Sequence, residues 1–149
     1  MNNKNQKVAE ELNKLLADYQ IFYQNLRGLH WNVTGNAFFM LHEKYEELYN
    51  EASEVIDEIA ERILMIGGQP LHTFGDYIAL AKMDEIKNVS NGKQGVKLVL
   101  ANSGYLLNSF KQILALAGEA GDEGTVAMIG EWIAKTEKRI WMLEAFLSE

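Results

Sequence analysis

Val8, Leu12, Leu15, Tyr19, Phe22, Leu26, Leu29 and Val33 recur at alternating steps of four and three residues. A helix of about 3.6 residues per turn puts such a series on one face, so one long amphipathic helix is expected over roughly 5 to 34. Thr34-Gly35-Asn36 supplies turn chemistry, after which Leu41, Tyr45, Leu48, Ala52, Val55, Ile59 and Ile63 resume the rhythm. The second helix is expected over about 38 to 66, where Gly67-Gly68-Gln69-Pro70 stops it. Val96, Val99, Ser103, Leu106, Phe110, Ile113 and Ala117 mark a third helix over about 93 to 118. After the glycine-bounded segment from Gly118 to Gly124, Val126, Ile129, Ile133, Thr136, Ile140, Leu143 and Leu147 mark a fourth. Between the second and third lies only a short helical candidate, about 74 to 81, followed by turn-prone residues from Asn88 to Gly92.

Two short connections and one long one describe an all-α four-helix bundle with a single long crossover containing a short helix. No strand pattern, repeat or low-complexity segment competes. At 149 residues, 48% of them hydrophobic, the chain has room for one domain, 1–149, with a short flexible tail over 1–5. No run approaches the roughly 20 apolar residues that cross a bilayer, and the first residues lack the apolar core of a signal peptide, so no membrane partner and a soluble, cytoplasmic protein are expected. Cysteine is absent, which leaves His, Asp and Glu for any metal. The charge is −7, with 21 acidic against 14 basic residues and no Lys/Arg run, so DNA binding is expected to be weak or absent.

The residues that carry chemistry are His30 near the end of the first helix and His42, Glu46, Asp57 and Glu61 on the second. These nitrogen and oxygen donors suit iron. At about 100° per residue from Leu41, the stripe from Leu41 to Ile59 stays within about 40° of zero, whereas His42, Glu46, Asp57 and Glu61 fall between about 100° and 200°. They point away from their own core. Tyr49, Ile56, Ala60 and Leu64 share that outward side, too much apolar surface for water, so a second copy is expected to cover it. Along the axis, His42 and Asp57 are about 22 Å apart, beyond the reach of one ion. Two antiparallel copies of this helix, crossing near the small residues Ala52 and Ser53, bring His42 and Glu46 level with the partner's Glu61 and Asp57. A carboxylate site inside one bundle would need Glu-x-x-His, but Arg27, Phe39 and Gln69 precede the three histidines by three positions.

The series His30-Trp31-Asn32-Val33-x-Gly35-x-x-Phe38-x-x-Leu41-His42-x-x-Tyr45-Glu46, then Asp57-x-x-Ala60-Glu61-Arg62, then Gly67-x-x-Pro70, resembles the signature of the Dps family of ferritin-like proteins. The likeness is close over 30 to 70, and Trp141-Met142-Leu143 agrees near the end. It implies a ferritin-like fold and a homo-oligomer, a dodecamer built from two-fold dimers. It further implies a cytoplasmic, stress-protective ferroxidase that oxidises Fe²⁺, preferably with hydrogen peroxide, otherwise with dioxygen, and stores the ferric product. Its ligands map to His30, His42 and Glu46 of one subunit with Asp57 and Glu61 of the next; of these, His30, His42, Asp57 and Glu61 are the catalytic set. Family members often have Asp where this chain has Glu46. The family name carries the alternative, a nucleoid-protecting DNA binder, against which stand the charge and a tail with only Lys4 and Lys7 before the first helix.

Other residues carry two readings. Trp31 matches an aromatic position that the resemblance links to absorbing stray oxidising equivalents, and it equally suits an interface filler. Asp122 and Glu123 open the fourth helix, where carboxylates complement the helix dipole whatever the function. The resemblance makes Asp122 and Glu131 candidates for a cation-entry pore. Arg62 is read as a salt-bridge partner and His72 as structural or solvent-exposed.

Overall fold

The computed structural model describes residues 2–148 and contains five helices and no strand among them. These are α1 (Asn3–Asn32), α2 (Phe38–Met65), α3 (Phe74–Leu80), α4 (Gly92–Glu119) and α5 (Glu123–Leu147). Side chains close four of the helix starts by accepting a backbone N–H of the first turn: Asn2 for α1, Thr73 for α3, Asn91 for α4 and Asp122 for α5. A tail was expected through residue 5, but Asn2 already caps a helix that begins at Asn3. Met1 lies outside the described residues. The first helix stops two residues earlier than expected, because the Thr34 amide bonds to the Ser90 carbonyl instead of continuing the ladder. At the end of α2, Gly67 takes φ 93°, and the Gly67 and Gly68 amides return to the carbonyls of Leu64 and Ile63.

α1 lies against α2 and α4, and α4 lies against α5, with α3 crossing over α1. The stripes expected on α1, α2 and α4 are all buried. On α5 the buried face is turned: Thr125, Trp132 and Arg139 occupy it beside Ile129, Thr136 and Leu143, and the expected Val126, Ile133, Ile140 and Leu147 are half-buried at its margin. Trp132 reaches Phe110, ring centres 5.8 Å apart, and the Arg139 Nε–H donates to Ser103 Oγ at 3.0 Å.

Three polar side chains of α1 hold the crossover. Asn13 donates to the Gln69 carbonyl and accepts from the Leu71 amide. Asp18 accepts from the Lys82 and Met83 amides and from the Tyr105 hydroxyl. Asn25 donates to the Asp84 carbonyl and accepts from the Ile86 amide. A long loop without regular hydrogen bonds needs such partners wherever its backbone is covered.

Charge divides by layer. α2 and α5 together hold twelve acidic and five basic residues, a balance equal to the whole −7 of the chain. The remainder of the chain is neutral overall.

Candidate metal centre

His30 sits in the last turn of α1, where carbonyls have no helical partner, and His42 sits in the second turn of α2. The two residues use each other's backbones. The His42 Nδ1–H donates to the His30 carbonyl at 2.8 Å, and the His30 Nδ1–H donates to the His42 carbonyl at 2.6 Å. A carbonyl can only accept, so each Nδ1 carries the proton of its hydrogen bond, and in the neutral form of either ring the lone pair is on Nε2. The rings lie 3.8 Å apart and 14° from parallel. Phe38 stacks on His42 at 5.0 Å, and Tyr49 meets His30 edge-on at 5.3 Å.

Glu46 completes this half of the arrangement. Its Oε1 lies 3.7 Å from His30 Nε2, with the side chain 52% exposed beside an imidazole that is 8% exposed. His30 is thus flanked by His42 on its ring face and by Glu46 at its Nε2. Asp57 and Glu61 are not brought to them: both are exposed, and they lie about three to five turns further along α2. Among the described residues of one chain, no three His, Asp or Glu side chains gather closely enough to hold a metal. Asp57 instead borders an open groove of about 430 Å³ with Gln20, Ser53, Ile56, Ala60 and Tyr77. Nearby apolar groups face outward, with Phe74 80% and Ile78 62% exposed on α3 and Leu64 59% exposed on α2.

The other candidates occupy different surroundings. Trp31 is exposed beneath a cation, the Arg27 guanidinium, which stands 5.0 Å from its ring and 5.2 Å from that of Tyr23. Arg62 is a salt-bridge partner: its Nη2 donates to Asp122 Oδ1 at 2.6 Å and its Nε to Thr125 Oγ1 at 2.9 Å. Burial raises the Asp122 pKa, but hydrogen bonds from Thr125 and Arg62 outweigh it and hold the carboxyl below its ordinary value. Glu131 is exposed and pairs with Lys135 at 3.2 Å. His72 is exposed, its Nδ1–H donating to the Pro70 carbonyl.

Sequence reasoning missed the groups flanking the histidines, although their spacing was readable. Phe38 and His42, and likewise Arg27 and Trp31, stand four residues apart on one helix face, where side chains meet. Arg139 was also missed. It is buried between Ser103 and the Phe22 ring, with Glu51 Oε1 3.8 Å from Nη1, so the middle of the bundle already holds a cation. A second cation there meets repulsion at low dielectric, in keeping with the missing Glu-x-x-His.

A model of the ferritin-like domain family matches residues 9–149. Two bacterial proteins named DNA protection during starvation protein align over 142 residues each. That of Brevibacillus brevis is 42% identical, covering 95% of each chain. That of Porphyromonas gingivalis is 40% identical, covering 95% of this chain and 89% of the relative. The chain belongs to the Dps family. The fold agrees as closely: the crystal structure of a Dps protein from Vibrio cholerae superposes with a TM-score of 0.96 at 44% identity, covering 97% of this chain and 91% of that one. It is described as a member of a broad superfamily of ferritin-like diiron-carboxylate proteins. A Dps protein from Bacillus brevis superposes with the same TM-score at 40% identity, covering 99% of both chains.

Proposed function

We propose that this Dps-family chain is a ferroxidase and iron store whose oxidation sites form between two subunits. His30, His42 and Glu46 of one subunit face Asp57 and Glu61 of another across a two-fold axis near Ala52 and Ser53. The observation that carries this reading is the half-built centre: two imidazoles, one at the end of α1 and one on α2, each bonded through Nδ1 to the other's carbonyl so that Nε2 is left for a metal, while Asp57 lies about 22 Å from His42 along α2. An antiparallel second copy supplies those carboxylates and covers the outward apolar residues in one step.

Fe²⁺ is the substrate. Neutral imidazoles bind the ferrous ion near pH 7, and carboxylates favour the harder Fe³⁺ product. Hydrogen peroxide accepts two electrons, one from each of two ferrous ions, and with two protons becomes two waters without releasing hydroxyl radical. Dioxygen is the slower alternative oxidant. The acidic α2/α5 layer suits the inner wall of a closed shell, a dodecamer of two-fold dimers, where ferric oxide nucleates on carboxylates. In this reading Asp122 braces an entry pore and Glu131 faces its lumen, while Trp31 absorbs stray oxidising equivalents or fills the interface. The protein works in the cytoplasm, and among the described residues no helix is long and apolar enough to cross a membrane.

Native mass together with anaerobic Fe²⁺ titration, followed by peroxide, tests the reading. A closed oligomer that oxidises two ferrous ions per peroxide is expected. A monomer at micromolar concentration, or His30→Ala with His42→Ala at the normal rate, sinks it.

A further inference from the structure

His30 and His42 form the inner pair of a four-ring column, Tyr49, His30, His42, Phe38. Inside it both imidazoles hold the tautomer that an unrestrained side chain adopts less often, because each Nδ1–H is committed to the other residue's carbonyl. The final torsion of a histidine is broad and roughly two-fold, and a half-turn would exchange Nδ1 with a carbon and lose that bond. The His30–His42 contact blocks one face of each ring. Phe38 covers the outer face of His42, and Tyr49 packs against His30 with ring centres 5.3 Å apart and ring planes 78° apart. Tyr49 is braced in turn by Tyr23, ring centres 6.0 Å apart.

We propose that Phe38 and Tyr49 are positioning residues that clamp the two imidazoles, so that both Nε2 lone pairs are set before metal arrives. The proposal rests on the inter-subunit iron reading for the purpose of the clamp; the clamp itself is a property of one metal-free chain. Groups that fix the tautomer and orientation of ligating histidines change affinity about 10- to 100-fold when removed. Phe38 is part of the family-like motif yet touches no expected ion, and the column gives it a task.

The chain has only three histidines, which makes their tautomers separately measurable by ¹⁵N solid-state NMR on histidine-labelled, metal-free assemblies. His30 and His42 are expected to show protonated Nδ1 and bare Nε2. Phe38→Leu should mix the tautomers of His42, and Tyr49→Leu those of His30. Phe38→Tyr and Tyr49→Phe, which keep the rings, should restore them. Co²⁺, followed by its visible absorption, should bind about tenfold more weakly to each leucine variant. Wild-type Nε2–H tautomers overturn the proposal without any variant. So do leucine variants with unchanged tautomers and Co²⁺ affinity, where His30→Ala with His42→Ala abolishes Co²⁺ binding. If that histidine pair leaves Co²⁺ binding untouched while the ring variants shift the tautomers, the iron reading fails and the clamp survives.

Discussion

Arg62, in the last turn of α2, reaches Asp122, the cap of α5, with Nη2 2.6 Å from Oδ1. Thr125 joins them, accepting from Arg62 Nε and donating to Asp122 Oδ2. Gly124 leaves room for the guanidinium, since a Cβ there would collide with Arg62. The carboxylate picked out as pore-lining thus also ties the acidic helix to the start of its neighbour.

Asp122→Ala should destabilise the chain by about 2 kcal/mol, combining a lost cap with an unpaired, largely buried guanidinium. Arg62→Ala should cost about the same, and the double variant less than the sum. The lowered Asp122 pKa sets the pH dependence: its contribution is present above the ordinary value of 3.8 and disappears as pH falls below it. Urea unfolding at pH 7 and pH 3 checks both; additive costs would show that the pair does not interact.

Asp18 makes a second prediction, because its buried carboxylate receives three hydrogen bonds, two that fix residues 82 and 83 to the bundle and one from the Tyr105 hydroxyl of α4. Asp18→Ala should cost about 3 kcal/mol and raise amide exchange across the crossover before it affects the helices. Burial, helped by the Asp18 contact, pushes Tyr105 up to about 12 from its ordinary 10.0. A raised pKa contributes stability below pH 10 that is lost between about 10 and 12, as tyrosinate forms first in the unfolded chain. Tyr105→Phe should remove part of that alkaline loss, which unfolding at pH 11 would read.

The difference between α2 and α5 shows what periodicity reveals. On α2 the buried face is made of aliphatic residues with one ring, Tyr45, so spacing located it to the residue. On α5 that face is centred on Thr125, Trp132 and Arg139, two polar residues and one half-polar ring, and a search for aliphatic spacing settled one position over. The nearness of His42 and Glu46 was legible from their spacing on one helix, whereas His30 joined them through the motif that resembles the family's and lies beside them because α1 and α2 adjoin in sequence and pack together. The anchoring of the crossover by Asn13, Asp18 and Asn25 was not legible, because its partners are backbone groups about 56 to 65 residues away, which carry no sequence signal.

DNA supplies a third prediction. Linear duplex should not be retarded at physiological salt and neutral pH when a chelator removes bridging cations. α1 and α4 carry seven basic against four acidic residues, so any binding seen at low salt should arise there and vanish by about 0.2 M salt. Retardation that survives that salt would show a phosphate-binding surface stronger than this balance allows.

Shared ligation makes the sharpest prediction, because it differs from simple loss of ligands. A chain with His30→Ala and His42→Ala keeps Asp57 and Glu61; a chain with Asp57→Ala and Glu61→Ala keeps both histidines. Each alone should assemble yet oxidise Fe²⁺ with peroxide at under about one hundredth of the normal rate, since ligands that work as a unit fail together. In a mixed two-fold dimer, one site draws its histidines and its carboxylates from the altered halves and has none of the four. The other draws both from the intact halves and is complete. Co-assembly from denaturant, with differently tagged chains so that mixed dimers can be isolated, should therefore restore up to about half the activity per dimer. A site built within one chain forbids this, because no subunit in the mixture holds a full set. Verified mixed dimers without recovered activity would leave the two halves of α2 unconnected, and the inter-subunit centre would have to be abandoned.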